Sequence, residues 1–250
     1  MTDWPLEHAD SDASESSLLV QYRVGPGKNF VYFVADLKSK RAALVDPAWN
    51  PLALLAEARV LGFEPACVLL THTHPDHLGG RLHNRLTPGV CELTDEIDLP
   101  VYVHESEAEY VLRFADLPER LLHPFSDASR IDVGALTVDC LHTPGHTPGC
   151  ACFHVDGRLI SGDTLFVRSV GNTDHPKGDV DALYTSLRRL EKLPQETKIY
   201  PGHDTGEETS STLGRELEIN AYFRPMESEQ FRILMGYLQS PTTPGNGADD

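Results

Sequence analysis

The chain has 250 residues, 40% of them hydrophobic, and a formal net charge of −17 from 21 basic and 38 acidic side chains. That length suits one globular domain with a substantial core, and the acidity disfavours nucleic acid as a partner, because phosphate neutralisation supplies most of such affinity. No apolar run approaches the ~18 residues of a membrane span, and the acidic start is unlike a signal peptide.

In chain order, residues 1–17 (with Asp3, Glu7, Asp10, Asp12 and Glu15) read as an acidic, loosely attached tail. A single domain is expected over 18–240, followed by a flexible 241–250 tail rich in Pro, Thr and Gly. The first strands are expected at Leu18–Val24, Phe30–Ala35 and Arg41–Val45, separated by short polar and glycine turns as in a β-meander. Asn50 caps a helix with Pro51 at its first position and Gly62 just beyond its end. The apolar run 66–70 reads as a buried strand. A short strand at Val101–Val103 precedes a helix over about 106–115. Leu136–Cys140, Cys150–Val155 and Arg158–Ile160 make a second meander. Asp179 caps a helix over 180–192 whose Val180, Leu183, Tyr184, Leu187 and Leu190 form one apolar stripe. Lys198–Tyr200 is the last strand, and Phe231, Leu234, Met235 and Leu238 mark a final amphipathic helix. Two strand-rich halves, each followed by helices, imply two packed sheets with helices outside.

The chemistry is concentrated at the ends of these strands. Thr71–His77 reads T-H-T-H-P-D-H, and T-P-G-H (143–146), S-G-D-T (161–164) and Y-P-G-H-D (200–204) follow, each in a tight glycine turn. His72, His74, Asp76, His77, His146, Asp163 and His203 therefore stand out as a set of imidazoles and carboxylates, the ligands that zinc and iron prefer. His72 and His74 are two apart, which places them on one side of an extended chain. Two divalent ions in such a set turn water into a nucleophile at neutral pH.

These motifs resemble the metallo-β-lactamase superfamily, in particular its glyoxalase II (hydroxyacylglutathione hydrolase) and persulfide dioxygenase branch, over roughly Leu18–Phe223. The resemblance implies an α/β fold of αββα type, two packed mixed sheets with helices on both outer faces. It also implies that His72, His74 and His146 hold one metal, that Asp76, His77 and His203 hold the second, and that Asp163 bridges them. Asp76 and Asp163 are also the catalytic carboxylates of that scheme. The implied activity is thioester hydrolysis with two zinc ions and a metal-bridging hydroxide. The alternative is a persulfide dioxygenase with one iron, in which one imidazole of the His72/His74 pair, His146 and Asp163 form a two-histidine, one-carboxylate face with positions open for O₂; a mixed zinc, iron and manganese content is a further alternative for the metals.

The resemblance leaves the substrate open. The loop Val170–His175 departs from the persulfide dioxygenase pattern G-R-T-D-F, with Asn172 in place of arginine and His175 in place of phenylalanine. Arg168, Asn172, His175 and Lys177 are the candidate contacts to a small thiol-derived substrate, glutathione-based or otherwise. The other histidines (His8, His83, His104, His123, His142 and His154) read as surface or core residues. Asn84–Leu99 looks like an insertion beside the site, and the 47 residues after His203 are too few for the complete helical domain of long glyoxalase II enzymes. Five cysteines without a C-x-x-C pair, three of them in apolar strand-like runs, point to reduced thiols and a cytoplasmic location.

Overall fold

A computed structural model describes residues 4–82, 85–115, 117–206 and 208–239 of the chain. The first sheet is built from β1 (Glu7–Ala13), β2 (Ser17–Val24), β3 (Asn29–Asp36) and β4 (Arg41–Val45). After helix α1 (Pro51–Val60) comes β5 (Glu64–Leu69), then the short α2 (Pro75–Leu78), the hairpin β6 (Gly80–Leu82) and β7 (Arg85–Thr87), and helix α3 (Val90–Glu96). Strand β8 (Val101–His104), helix α4 (Glu105–Phe114) and β9 (Leu122–Phe125) complete this half. The second half runs through β10 (Arg130–Val133), β11 (Leu136–His142), β12 (Ala151–Val155), β13 (Arg158–Gly162), the hairpin β14 (Leu165–Phe166) and β15 (Ser169–Val170), and helix α5 (Val180–Leu190). It ends with β16 (Lys198–Pro201), β17 (Ser211–Thr212), α6 (Leu213–Ile219) and α7 (Ser228–Gln239).

The strands form a seven-stranded sheet in the order β1-β2-β3-β4-β5-β8-β9 and a six-stranded sheet in the order β10-β11-β12-β13-β16-β17. Both are mixed: β4, β5, β8 and β9 run parallel, as do β13 and β16, and the other pairs are antiparallel. Period-two alternation explains the layering. Val31, Phe33 and Ala35 of β3 face α1, α3 and α4. Phe30, Tyr32 and Val34 face the other sheet, where they pack with Val138, Phe153 and Tyr200. On the far side, Leu183, Leu187 and Leu190 of α5 join Leu159, Ile199, Phe231 and Met235. The result is an αββα sandwich. Full burial of each such Leu or Phe contributes roughly 2 kcal/mol, which makes the sheets a stiff base for the loops at their ends.

Two expectations need correction. Residues 7–13 are a paired edge strand rather than a loose tail, with Asp12 opposite Leu19 in the register of β2. Of the acidic side chains that suggested disorder, Asp12 is held by cations of the second sheet. Asp12 accepts from the buried Arg158 at 2.9 Å and from Lys198 at 2.7 Å, and Ser16 donates to Asp156 at 3.0 Å. The segment after Asn84 is integral rather than appended: Val90 and Leu93 of α3 are wholly buried in the core they share with α1. His83, Asn84 and the expected 241–250 tail lie outside the described residues. Among the described residues no helix is long and apolar enough to cross a membrane.

Candidate metal centre

Seven side chains converge where β5, β11, β13 and β16 end. Pro75 can open α2 because its missing N–H would be unpaired at a first helical position, so Asp76 and His77 sit on the first turn, directly after the extended His72–His74 segment. Asp163 follows β13, His146 lies between β11 and β12, and His203 follows β16. The glycine before His203 is required by space: a Cβ at Gly202 would stand 2.2 Å from Asp163 Oδ1.

The ligand atoms form two groups of three, His72–His74–His146 and Asp76–His77–His203, each with all members within 4.8 Å of one another. In the first, His74 Nδ1 lies 3.2 Å from His72 Nε2 and 2.9 Å from His146 Nε2. In the second, His77 Nε2 and His203 Nε2 are 3.1 Å apart, and Asp76 Oδ2 is 3.5 Å from His203 Nε2. Ligands about 2.0 Å from a tetrahedral ion stand about 3.3 Å from each other, so both groups have the spacing of an ion's coordination shell. Asp163 spans them. Its Oδ2 lies 3.4 Å from both His146 Nε2 and His203 Nε2, and its Oδ1 lies 3.5 Å from His77 Nε2. That Oδ1 is buried and has no hydrogen-bond partner, an unusual state for a carboxylate oxygen and one that a cation relieves.

The outer nitrogens show which ring atom is available to an ion. His146 Nδ1 donates to the Asn172 carbonyl at 2.7 Å, and His203 Nδ1 donates to the Gly27 carbonyl at 2.9 Å. His77 Nδ1 donates to Asp46 Oδ2 at 3.0 Å. The Thr71 hydroxyl gives its proton to the same Asp46 oxygen at 2.5 Å, so at 3.1 Å from His72 Nδ1 it must accept. In all four histidines Nδ1 is occupied as a donor, and Nε2 is left facing the cluster. Asn29 holds Asp76 by donating to its Oδ2 at 3.0 Å, and Trp49 in turn donates to Asn29 at 3.0 Å. The backbone of Trp49 donates to the Pro88 carbonyl at 2.8 Å, which links the 85–99 segment to the site. Asp46, Asn29 and Trp49 are the residues that sequence reasoning missed. A weak signal existed for Asp46, an acidic residue directly after a strand, β4, that is wholly apolar beyond its first position.

Electrostatics divide the groups. Burial, reinforced by the neighbouring imidazoles, holds His72 well below the ordinary histidine range and His74 at about 4, so both are neutral at pH 7. Burial opposes a charge on His77 too, but Asp163, Asp76 and Asp46 outweigh it and raise this imidazole to about 10. Burial likewise opposes ionisation of Asp163, yet His203 and His77 keep its carboxyl well below the usual range. The second group thus concentrates negative charge that a proton, or a metal ion in its place, neutralises.

The pattern of the metallo-beta-lactamase superfamily matches residues 24–203, which contain all seven converging side chains. The chain belongs to that superfamily. It is 31% identical over 192 residues to the hydroxyacylglutathione hydrolase GloC of Haemophilus influenzae, covering 73% of this chain and 87% of the relative. It is 30% identical over 217 residues to the mitochondrial persulfide dioxygenase ETHE1 of Homo sapiens, covering 85% and 78%. The crystal structure of ETHE1 from Myxococcus xanthus superposes with a TM-score of 0.76 at 26% identity, covering 90% of this chain and 92% of that one.

Around this metallo-beta-lactamase centre the expected substrate contacts separate. His175 comes closest, its ring 5.1 Å from both His74 and His146 in edge-on packing. The Asn172 side chain is exposed while its carbonyl holds His146. Lys177 lies over the Tyr110 ring at 4.7 Å. Arg168 is exposed at the tip of the β14–β15 hairpin, where its backbone N–H, rather than its guanidinium, donates to Glu216.

Proposed function

We propose that the protein is a thioester hydrolase of the hydroxyacylglutathione-hydrolase type with a binuclear metal centre. The observation that carries this reading is Asp163, a single buried carboxylate shared by two complete ligand triads. His72, His74 and His146 would hold one ion and Asp76, His77 and His203 the other. Two divalent ions, zinc by the chemistry of the donor set, supply Lewis acidity and make water an effective nucleophile near neutral pH. The protein residues do the rest. Asp76 and Asp163 offset the charge of two cations, and Asp46 and Thr71 orient the rings of His72 and His77. A thiolate leaving group requires little help from a general acid, which suits a centre whose histidines are committed as ligands. Likeness to GloC supports the substrate class.

Likeness to ETHE1 supports a second reading, a persulfide dioxygenase with one iron. One experiment separates them: metal analysis of the purified protein, combined with hydrolysis of S-D-lactoylglutathione and oxygen uptake on glutathione persulfide. The hydrolase reading expects about two ions per chain, mainly zinc, and loss of the thioester. A fully metallated sample that cleaves no thioester refutes it. One iron per chain with oxygen uptake establishes the alternative.

A further inference from the structure

The loop 171–179 is tied to the His146 turn at both ends. The Asn172 carbonyl accepts from His146 Nδ1, and the Asp179 N–H donates to the Gly145 carbonyl at 2.8 Å. Between these ties the chain makes a tight turn, closed by the Gly178 N–H on the His175 carbonyl at 2.8 Å. Gly178 is needed there, since a Cβ would stand 2.2 Å from the Thr173 carbonyl oxygen. Helix α4 is docked on the same turn, where Glu107 accepts from the Gly149 N–H at 3.1 Å. One turn further along α4, Tyr110 takes the Lys177 ammonium over its ring, and Phe114 extends the aromatic surface, 4.7 Å from Tyr110 and 57% exposed. Lys177 is two residues from His175, within about 7 Å along the chain, and His175 packs on the first triad. Its ammonium has no carboxylate partner among the described residues, although the chain carries an excess of 17 negative charges. The contact with Tyr110 orients the cation without neutralising it.

We propose that Lys177, steered by Tyr110, is a specificity residue that engages an anionic group, carboxylate or phosphate, on the thiol half of the substrate. This rests on the thioesterase reading for its substrate class, while the contact itself is measurable without turnover. A charge contact at an exposed rim changes affinity by about 2–5-fold. The experiment compares S-acyl glutathione and acyl-coenzyme A, which carry carboxylates and phosphates respectively, with the neutral S-acyl N-acetylcysteamine bearing the same acyl group. Lys177→Ala should lower the preference for an anionic over the neutral thioester, the ratio of their kcat/KM values, by that factor, and Lys177→Arg should restore it. The arm that responds identifies the anion. An unchanged ratio in both arms overturns the proposal. If the wild type cleaves no thioester, the hydrolase reading fails by itself, and binding of the thioethers S-hexylglutathione and S-hexyl-coenzyme A then decides this one. A Kd for either raised about 2–5-fold by Lys177→Ala and restored by Lys177→Arg supports the contact, and equal Kd values for both thioethers in wild type and Lys177→Ala refute it.

Discussion

Asp46 touches no ion in the proposed scheme, yet its replacement by asparagine should weaken both metal sites. Asp46 Oδ1 accepts from the Thr71 backbone N–H at 2.8 Å, and Oδ2 accepts from the Thr71 hydroxyl at 2.5 Å and from His77 Nδ1 at 3.0 Å. In Asp46→Asn the carbonyl oxygen stays on the backbone N–H, because the opposite amide orientation sets two donors against each other. The new amide N–H₂ then faces both the Thr71 hydroxyl and His77 Nδ1. The hydroxyl accepts from it and turns its own proton onto His72 Nδ1, 3.1 Å away. Neutral His72 then carries its proton on Nε2, and His77, once it gives up the proton that metal binding expels, is left with its remaining proton on Nε2, the nitrogen on which each ion depends. Restoring the ligand tautomer leaves a buried donor facing a donor, a penalty of about 1–3 kcal/mol at each histidine, consistent with the ~10–100-fold loss of metal affinity that changes to outer partners cause. The assay is zinc titration of the chelator-stripped protein against a chromophoric competitor. Nitrogen-15 NMR of the metal-free variant reads the tautomer of the neutral His72 directly. Binding of two zinc ions at wild-type affinity by Asp46→Asn would falsify the relay. Loss at the Asp76–His77–His203 site alone would show that Thr71 does not transmit the change to His72.

Three further outcomes follow from the same geometry. Asp163→Ala should weaken both ions together, by more than the ~100-fold that an outer-partner change reaches; elemental analysis showing one ion retained contradicts the bridge. Because the metal-free His77 is raised to about 10, it carries a proton at pH 7 that metal binding must expel. Apparent affinity should therefore rise with pH between about 6.5 and 10, up to tenfold per unit for this proton, and calorimetry in buffers of different ionisation enthalpy should register its release; a pH-independent affinity across that window would rule this out. Asp12→Ala should destabilise the fold by on the order of 3 kcal/mol, since the buried Arg158 loses its closest carboxylate and keeps Asp156 at 3.4 Å. Burial opposes the charge on Asp12, but Arg158 and Lys198 outweigh it and lower its pKa, so its contribution is present above the unfolded carboxylate range and lost as pH falls below it. Urea denaturation at pH 7 and pH 3 checks both, and an unchanged midpoint for Asp12→Ala at pH 7 refutes the pairing.

Much of this was legible in order along the chain. The strands β2 to β5, the Asn50 cap with Pro51, the α5 stripe and the seven candidate ligands all stand in local patterns: period-two apolar runs, capping residues and histidines beside glycine turns. Local patterns report what a residue does to its own neighbours, and they are sufficient where backbone geometry is set within a few residues. They fail where the partner is far away in sequence. The strand at Glu7–Ala13 looked like an acidic tail because the cations that hold it, Arg158 and Lys198, lie more than 140 residues later. Helix α3 looked inserted because Val90 and Leu93 are buried only when α1 lies beside them. Asp46 and Asn29 gave no motif, since each acts by a hydrogen bond to a residue tens of positions away. The same limit divides the site. The seven candidate ligands can be named from the sequence, because imidazole and carboxylate chemistry belongs to the side chain. Their grouping into two triads about one shared carboxylate is a matter of distances, and with it the choice of Nε2 on His72, His77, His146 and His203. Those distances exist only once the ends of β5, β11, β13 and β16 are brought to one edge of the two packed sheets.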